Sequence, residues 1–194
     1  MIWFTSDFHL GHENIIKYCD RPFANAKEMD KTILDNFFSM VKKGDTVFFL
    51  GDLSFHEDVI KSTLMAIAMA GIDFNVIVGN HDNADAIARF SYHQFKKNVY
   101  SMLDTEIEGQ PITLCHYPML TFNRSHYGAW QMYGHHHNGG FHKNIPPAVM
   151  GKKINVGVDI WNFKPISWEN VKLWMAGQPD NFDLIPLNER RNHK

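Results

Sequence analysis

Five short apolar runs in this chain each end in a cluster of polar side chains, and this pattern constrains the fold most. The runs cover residues 1–6, 45–50, 73–78, 111–115 and 130–133. Their length and their content of β-branched and aromatic residues predict buried strands. Because open α/β sheets bind ligands at the carboxyl ends of their strands, we expect the five polar clusters to form one shared site.

Amphipathic segments separate many of these runs and predict helices. Their apolar side chains recur at three- and four-residue intervals, which places them on one face of a helix. The alternation of strands with helices predicts an α/β fold, and the strand-rich later half predicts a second sheet packed on the first. The predicted helices cover Lys27–Lys42, Glu57–Ala70, Ala84–Phe90 and Trp168–Met175, and a further strand covers Lys153–Val158.

Composition excludes several classes of protein. The chain has 194 residues, 21% of them charged, and a formal net charge of −2, so it lacks the strongly basic character of many nucleic-acid-binding proteins. We expect one domain over residues 1–187 and a polar tail over residues 188–194. The sequence has no signal-peptide pattern and no membrane-spanning apolar stretch, so a cytoplasmic location is expected. The two cysteines, Cys19 and Cys115, are expected to be reduced thiols.

The polar clusters carry side chains that bind metals. Asp7 and His9 are two residues apart, so both can reach one ion at a strand-to-loop junction. Carboxylate, imidazole and amide ligands without a thiolate suit Mn²⁺, Fe, Zn²⁺, Co²⁺ or Ni²⁺. The ligand candidates are too many for a single ion, which indicates two ions held about 3.5–4 Å apart by a bridging carboxylate. Turn formation and helix capping are the alternative roles for each Asp and Asn.

Five motifs, in this order, resemble those of the calcineurin-like metallophosphoesterases, and in particular the small single-domain bacterial and phage members. The motifs are D-x-H at 7–9, G-D at 51–52, G-N-H-D at 79–82, a lone histidine at 116 and G-H-x-H at 134–137. The resemblance implies two packed mixed β-sheets flanked by helices, in a four-layer αββα arrangement.

The resemblance also implies a role for each motif residue. His81 would assist departure of the leaving group, and Asp82 would orient His81. Seven residues would be metal ligands. The first metal would be held by Asp7, His9 and His137, and the second by Asn80, His116 and His135. The Asp52 carboxylate would bridge the two metals.

The implied activity is metal-dependent hydrolysis of a small phosphomonoester or phosphodiester, such as a nucleotide or cyclic nucleotide, by attack of a metal-bound hydroxide. Two divalent metal ions are the implied cofactors, with Mn²⁺ expected and Fe, Zn²⁺, Ni²⁺ or Co²⁺ as alternatives. Phosphoprotein phosphatase activity is disfavoured, because Leu53–His56 replaces the Arg-rich continuation of those enzymes. The alternative functions are a nuclease acting on RNA or DNA and a non-catalytic scaffold of the same fold. No membrane partner is expected, and the sequence indicates no oligomeric state.

Three further residues are candidates for contacting the substrate, each with an ordinary structural alternative. His12 could instead cap a helix, and His56 could instead be a surface loop residue. Arg124 lies in the glycine-rich, aromatic segment 121–151, where its planar guanidinium suits a phosphate but could equally be solvated. Arg21 could also reach the site, although a structural role is favoured. The rings that could stack on a base, or could simply pack, are Phe8, Tyr117 and Tyr127.

Overall fold

A computed structural model of the chain describes residues 1–95, 99–137 and 151–190. Within these ranges, short strands alternate with helices in the first half, and strands dominate the middle of the chain. The strands are β1 (Ile2–Thr5), β2 (Thr46–Phe49), β3 (Asp73–Ile77), β4 (Val99–Tyr100), β5 (Met102–Ile107), β6 (Gln110–Cys115), β7 (Trp130–Tyr133), β8 (Lys153–Asn155) and β9 (Ile166–Ser167). The helices are α1 (Glu13–Tyr18), α2 (Ala26–Met40), α3 (Glu57–Met69), α4 (Ala84–Phe95) and α5 (Trp168–Ala176).

The strands form two mixed sheets. The first has the order β4-β3-β2-β1-β9, in which β1 to β4 are parallel and β9 is antiparallel to β1. The second has the order β5-β6-β7-β8, in which β6, β7 and β8 are parallel and β5 is antiparallel to β6. An isolated parallel bridge between Ser6 and Gly157 joins the end of β1 to the segment that follows β8.

Alternating side chains along the first sheet build two separate cores. In β2, Val47 and Phe49 face the helices, whereas Phe48 and the following Leu50 face the second sheet. This alternation follows from the two-residue period of a strand, and burial on both faces explains why the strand is apolar almost throughout. Helices α1 to α4 contribute to the first core, and the second sheet and α5 contribute to the other.

Side-chain caps fix the starts of two helices. Asn25 accepts a hydrogen bond from the Glu28 amide at the start of α2, while the Glu28 carboxylate accepts one from the amide of Ala24, the residue before the cap. Ser167 caps α5 by accepting a bond from the Asn170 amide. Helix α5 contacts β8 and β9, the strands at one edge of each sheet.

The predicted fold class is confirmed: the chain forms two mixed sheets with flanking helices. The predicted strand over Lys153–Val158 was too long, because β8 ends at Asn155. There the Asn155 side chain accepts a hydrogen bond from the Gly157 amide, an interaction that turns the chain out of the sheet.

The structure also bears on three smaller predictions, which concern Phe8, the cysteines and the polar tail. Phe8 is buried in the helix-side core against Phe37 and Phe49, so its ring packs and does not reach a substrate. Cys19 and Cys115 form no disulfide. The predicted polar tail starts within a short 3-10 helix, Leu187–Glu189, and residues 191–194 lie outside the described residues.

Across the described ranges, no helix combines the length and apolar character needed to cross a lipid bilayer.

Candidate metal centre

The five polar clusters meet at the carboxyl ends of the strands. Strands β1, β2 and β3 are parallel neighbours in the first sheet, so the residues that follow them emerge at one edge. Strands β6 and β7 do the same in the second sheet. Backbone bonds continue past the strand ends within each sheet, because the Asp7 amide donates to the Gly51 carbonyl in the first sheet and the Gly134 amide donates to the His116 carbonyl in the second. The predicted meeting of these clusters is therefore observed.

The first group of ligand atoms comes from Asp7, His9 and His137. One ligand atom of each lies within 4.8 Å of the others, and Asp7 and His9 are buried while His137 is half-buried. The Asp7 carboxylate also accepts hydrogen bonds from the Ser6 hydroxyl at 2.5 Å and from the His135 amide at 3.1 Å. This group matches the set predicted for the first metal.

The second group joins Asp7 and Asp52 to His116. Their ligand atoms also lie within 4.8 Å of one another, and all three side chains are buried. The His116 Nδ1 atom lies 2.6 Å from the Leu50 carbonyl oxygen, so this nitrogen carries the proton and Nε2 faces the centre. The Asn80 Oδ1 atom lies 3.0 Å from His116 Nε2, which brings a third predicted ligand of the second metal to the same place.

His135 lies beside His116 on this side of the centre. Its ring lies 5.2 Å from the His116 ring and 4.9 Å from the Tyr117 ring, measured between centroids. The structure therefore brings all seven predicted ligands into one neighbourhood.

Asp52 lies between His9 of the first group and His116 of the second, and one of its oxygens has no hydrogen-bond partner among the described residues. Its Oδ2 atom lies 3.4 Å from His9 Nε2 on one side and 3.4 Å from His116 Nε2 on the other. Among the described residues, neither Asp52 Oδ2 nor His9 Nε2 has a hydrogen-bond partner, although both are buried. Buried polar atoms without partners are uncommon and need an explanation such as an ion. Since a carboxylate oxygen and an imidazole nitrogen are both metal ligands, the residues present fit divalent cations.

The charges at the centre also suit cation binding. Burial raises the pKa of Asp52, but the adjacent His116 and His9 imidazoles outweigh it and bring the pKa to about 2. Burial lowers the pKa of His9 to about 3 against the opposing charge of Asp52. Asp52 is therefore an anion and His9 a neutral imidazole near pH 7, which are the protonation states in which they ligate metals.

His137 is held by a different partner. Its Nδ1 atom lies 2.8 Å from Asp159 Oδ2. Burial lowers the pKa of His137, but the hydrogen bonds to Asp159 and Cys19 and the charges of Asp7 and Asp159 raise it to about 10. Without a cation the ring therefore carries a proton on both nitrogens near pH 7: the Nδ1 proton is held by Asp159, and the Nε2 proton is the one that a bound cation would displace.

The loops that carry the ligands are strained. Asp7, His9, Asp52 and His135 adopt the left-handed region, with φ of 59°, 51°, 63° and 69°. Residues other than glycine adopt this region rarely, and it costs about 1–3 kcal/mol where surrounding structure imposes it. Four of the seven predicted ligands thus have an unfavourable backbone conformation, which indicates that the loops are constrained by the site.

Glycines allow the closest backbone approaches at the centre. Gly51 has φ of 92°, and a Cβ atom there would lie 2.5 Å from the Gly79 nitrogen and 2.7 Å from His116 Nδ1. A Cβ atom on Gly79 would in turn collide with the Asp52 carboxylate. These contacts explain why both motifs have glycine at these positions.

Asp82 supports the loop of the bridging candidate. Its Oδ2 atom accepts bonds from the Asp52 and Gly79 amides, each at 2.8 Å, and its Oδ1 atom accepts one from the Leu53 amide at 2.7 Å. This backbone support differs from the role that the resemblance implies, in which Asp82 orients the His81 ring. Asn83, and not Asp82, caps α4, since its Oδ1 accepts a bond from the Ala86 amide.

His81 is exposed beside the centre. Its amide donates to Asp52 Oδ1 at 2.9 Å, and its ring lies 5.4 Å from the His9 ring and 5.0 Å from the Phe55 ring. The ring is thus close to the ligands and open to solvent.

The three weaker candidates lie in different places. The half-buried His12 ring lies 5.6 Å from the His9 ring, and its buried Nδ1 has no described partner. The exposed His56 packs on Gly11, where an added Cβ would lie 2.9 Å from the ring. Arg124 lines a cavity of about 310 Å³ with residues of β5 and β6, and this cavity contains none of the predicted ligands. Part of the 121–151 segment, residues 138–150, lies outside the described residues.

Sequence patterns did not identify two residues at the centre that orient a predicted ligand. Asp159 contacts His137, and Arg21 contacts Asp159 through two hydrogen bonds of 2.7 and 2.8 Å. The sequence separation of 138 residues between Arg21 and Asp159 hides this pair from local patterns. The available signals were an aspartate after the last histidine motif and an arginine near the first motif.

Comparison with known proteins agrees with this geometry. Residues 1–150 match the calcineurin-like phosphoesterase superfamily domain. The chain is 34% identical to the uncharacterized protein MJ1445 of Methanocaldococcus jannaschii, over 86% of each chain. It is 25% identical to the Gene 66 protein of Mycobacterium phage L5, over 82% of this chain and 86% of the phage protein.

A solved structure shares the fold. The crystal structure of AQ665, a protein of unknown function from Aquifex aeolicus, superposes with a TM-score of 0.68 and covers 90% of this chain and 98% of that one at 24% identity. The domain match covers most of the chain and includes every residue of the five motifs. This chain therefore belongs to the calcineurin-like phosphoesterase superfamily, a family of metal-dependent phosphoesterases.

Proposed function

We propose that this protein is a dinuclear metal-dependent phosphoesterase that hydrolyses small phosphomonoesters or phosphodiesters. The observation that carries the proposal is the position of Asp52 Oδ2, buried without a hydrogen-bond partner and 3.4 Å from an imidazole nitrogen of each ligand group. A carboxylate oxygen between two imidazoles suits a bridge between two cations. Mn²⁺ is the proposed metal, and the carboxylate, imidazole and amide ligands also suit Fe, Zn²⁺, Ni²⁺ or Co²⁺. A cytoplasmic location is part of the proposal.

Each group of ligands has a defined task in this proposal. Two bound divalent cations would polarise the phosphoryl oxygens and lower the pKa of a water molecule toward neutrality. The residues that would hold them are Asp7, His9 and His137 for the first, Asn80, His116 and His135 for the second, and Asp52 for both.

His81 would supply the proton that the leaving oxygen requires. Its ring is exposed, lies next to the His9 ring and is anchored through its amide to Asp52. Imidazoles commonly serve as general acids, so His81 is suited to protonate an alkoxide as the ester bond breaks. Asp82 would contribute indirectly, by holding the Gly51–Asp52 loop through backbone amides.

Two exposed aromatic rings favour an ester with a flat organic group, such as a nucleotide. Phe55 is 42% exposed and contacts the His81 and His12 rings, and Tyr117 is 45% exposed and contacts the His116 and His135 rings. Flat rings beside a phosphate site can stack on a base or an aryl group. His12 and His56, which lie near Phe55 or the first motif, are proposed substrate contacts. Arg124 is not included, since it lines a different cavity.

The proposal is tested by hydrolysis with added Mn²⁺. The substrates are an aryl phosphomonoester, a bis-aryl phosphodiester, a cyclic nucleotide and a short single-stranded RNA, assayed with the parent chain, Asp52→Asn and His81→Ala. Asp58→Asn, at an exposed carboxylate of α3, is the matched control. We expect both site variants to lose hydrolysis of a small ester and the control to retain it. Hydrolysis that neither site variant reduces would overturn the proposal, and turnover confined to RNA with steep salt dependence would indicate the nuclease alternative.

A further inference from the structure

We propose that Asp159 and Arg21 are positioning residues that orient the ligands of the first metal, Asp7 and His137. The inference rests on the proposed function, and it assigns a task to two buried charged groups that the five motifs do not contain.

Asp159 sets the orientation of the His137 imidazole. The His137 Nδ1–H donates to Asp159 Oδ2 at 2.8 Å, and the Asp159 side chain is only 2% exposed. A histidine ligand that donates its second ring nitrogen to a carboxylate has a fixed tautomer and ring orientation, and the bond makes the ligating nitrogen more basic. His137 Nε2 is therefore directed toward Asp7 and His9.

Arg21 fixes Asp159 in turn. Its Nε and Nη2 atoms donate to the two oxygens of Asp159 at 2.7 and 2.8 Å, and its side chain is fully buried. This two-pronged pairing sets both the position and the plane of the carboxylate, which a lysine cannot do.

The remaining donors of Arg21 hold the loop of the first motif. Nη2 donates to the Asp7 carbonyl at 2.7 Å and Nη1 to the Phe8 carbonyl at 3.0 Å. Nη1 also contacts the Met29 sulfur at 3.2 Å. Because Asp7 has an unfavourable positive φ, these bonds stabilise the backbone conformation that presents its carboxylate. One guanidinium therefore acts on two ligands of the first metal.

Asp159 is better suited to orient a ligand than to bind a cation itself. Ligand atoms of Cys19, His137 and Asp159 lie within 4.8 Å of one another, which resembles a third metal-binding group. Both oxygens of Asp159 already accept bonds from the Arg21 cation, so a metal ion there would face a neighbouring positive charge. Asp159 therefore orients the His137 ring and is not proposed as a metal ligand.

The second metal's ligands do not depend on this pair. The His116 ring is oriented by the Leu50 carbonyl oxygen at 2.6 Å and not by a carboxylate. Loss of Asp159 should therefore weaken one metal site and leave the other intact. A residue with a purely structural role would lower the stability of the fold without this selectivity.

The test is titration of chelator-treated protein with Mn²⁺, followed by calorimetry and by Mn²⁺ electron paramagnetic resonance. The variants are Asp159→Asn and Arg21→Lys, each also measured for thermal unfolding without metal. Asp45→Asn is the matched control, since Asp45 is another buried carboxylate that accepts side-chain and backbone bonds but precedes β2 at the opposite end of the strand.

We expect the parent chain to bind two Mn²⁺ ions with a spin-coupled signal. In Asp159→Asn the affinity of one site should fall about 10–100-fold, which replaces the coupled signal by that of single ions at limiting Mn²⁺. Arg21→Lys should show the same selective loss to a smaller degree, and Asp45→Asn should bind both ions normally. Parent-like binding of both ions by folded Asp159→Asn or Arg21→Lys would overturn this inference alone, as would an equal loss in Asp45→Asn. A parent chain that binds no Mn²⁺ would instead overturn the proposed function and the inference together.

Discussion

At the scale of single residues, Asp52 carries the largest share of the proposed chemistry. Its carboxylate lies between His9 and His116, and it has a low pKa although it is buried. Asp52→Asn retains the shape of the side chain but removes its negative charge. We expect Mn²⁺ stoichiometry to fall below two and hydrolysis to fall by more than about 100-fold, since even indirect supports of a metal ligand contribute 10–100-fold. Elemental analysis and initial rates measure both effects, and a variant with two tightly bound ions would contradict this role.

His81 should show a different signature, because it is not among the proposed ligands. We expect His81→Ala to keep its metal content and to lose about 10²–10⁴-fold in rate toward esters with a poorly leaving alcohol. The loss should be smaller for 4-nitrophenyl phosphate, whose leaving group needs little protonation. Comparison of rates across leaving groups, with metal content as the control, makes the test. An equal loss for all leaving groups would contradict proton donation by His81.

Individual ligands could be predicted from the sequence because their spacing is local and their order along the chain is distinctive. The supporting residues could not, because their contacts are distant in sequence. Asp159 is 22 residues from His137 and 138 from Arg21. The role of Asp82 was also hidden, since its partners are backbone amides, which carry no sequence signal. Long-range hydrogen bonds of this kind are fixed by the fold and not by local pattern.

At the scale of elements, the loops that follow β2 and β3 pack closely through their backbones at Gly51 and Gly79. We expect Gly51→Ala to unfold the metal-free protein at clearly lower urea concentration, because the new Cβ would lie 2.5 Å from the Gly79 nitrogen. Gly109→Ala is the matched control, since Gly109 also has a positive φ of 81° but no atom within 4 Å of the added Cβ. The control should lose about 1–2 kcal/mol of unfolding free energy for the backbone conformation alone.

Gly51→Ala should lose that amount and at least about 1–3 kcal/mol more from overpacking. Urea unfolding of both variants, with metal removed by chelation, gives the two free energies. Equal losses in the two variants would show that the approach of the Gly51 and Gly79 loops does not constrain the fold.

Long periodic elements were predictable, and short or edge elements were not. The predicted helices over residues 27–42 and 57–70 correspond to α2 and α3 within two residues at each end. Strands β4 and β9 have two residues each, which is too short for a periodic pattern to emerge. Strand β5 was missed because Asp104 and Glu106 interrupt its apolar residues, as suits a strand at the edge of its sheet.

At the scale of the whole molecule, the centre depends on the packing of two sheets. The first sheet supplies Asp7, Asp52 and Asn80, and the second supplies His116, His135 and His137, so the two must keep their relative position. Leu114 of β6 is fully buried in the core between the sheets. We expect Leu114→Ala to lower the free energy of unfolding by about 2–5 kcal/mol.

Leu173→Ala provides the control for this packing prediction. Leu173 lies on α5 with 73% of its surface exposed, and its replacement should change stability by less than about 0.5 kcal/mol. Thermal and urea unfolding of the two variants measure the difference. A Leu114→Ala protein as stable as the parent chain would contradict the role of this core in joining the sheets.

The most direct test of the whole account is anomalous diffraction from crystals grown with Mn²⁺. We predict two peaks about 3.5–4 Å apart, with the Asp52 carboxylate between them and the six remaining ligand side chains divided three and three. A single peak, or no peak among these seven residues, would contradict the account.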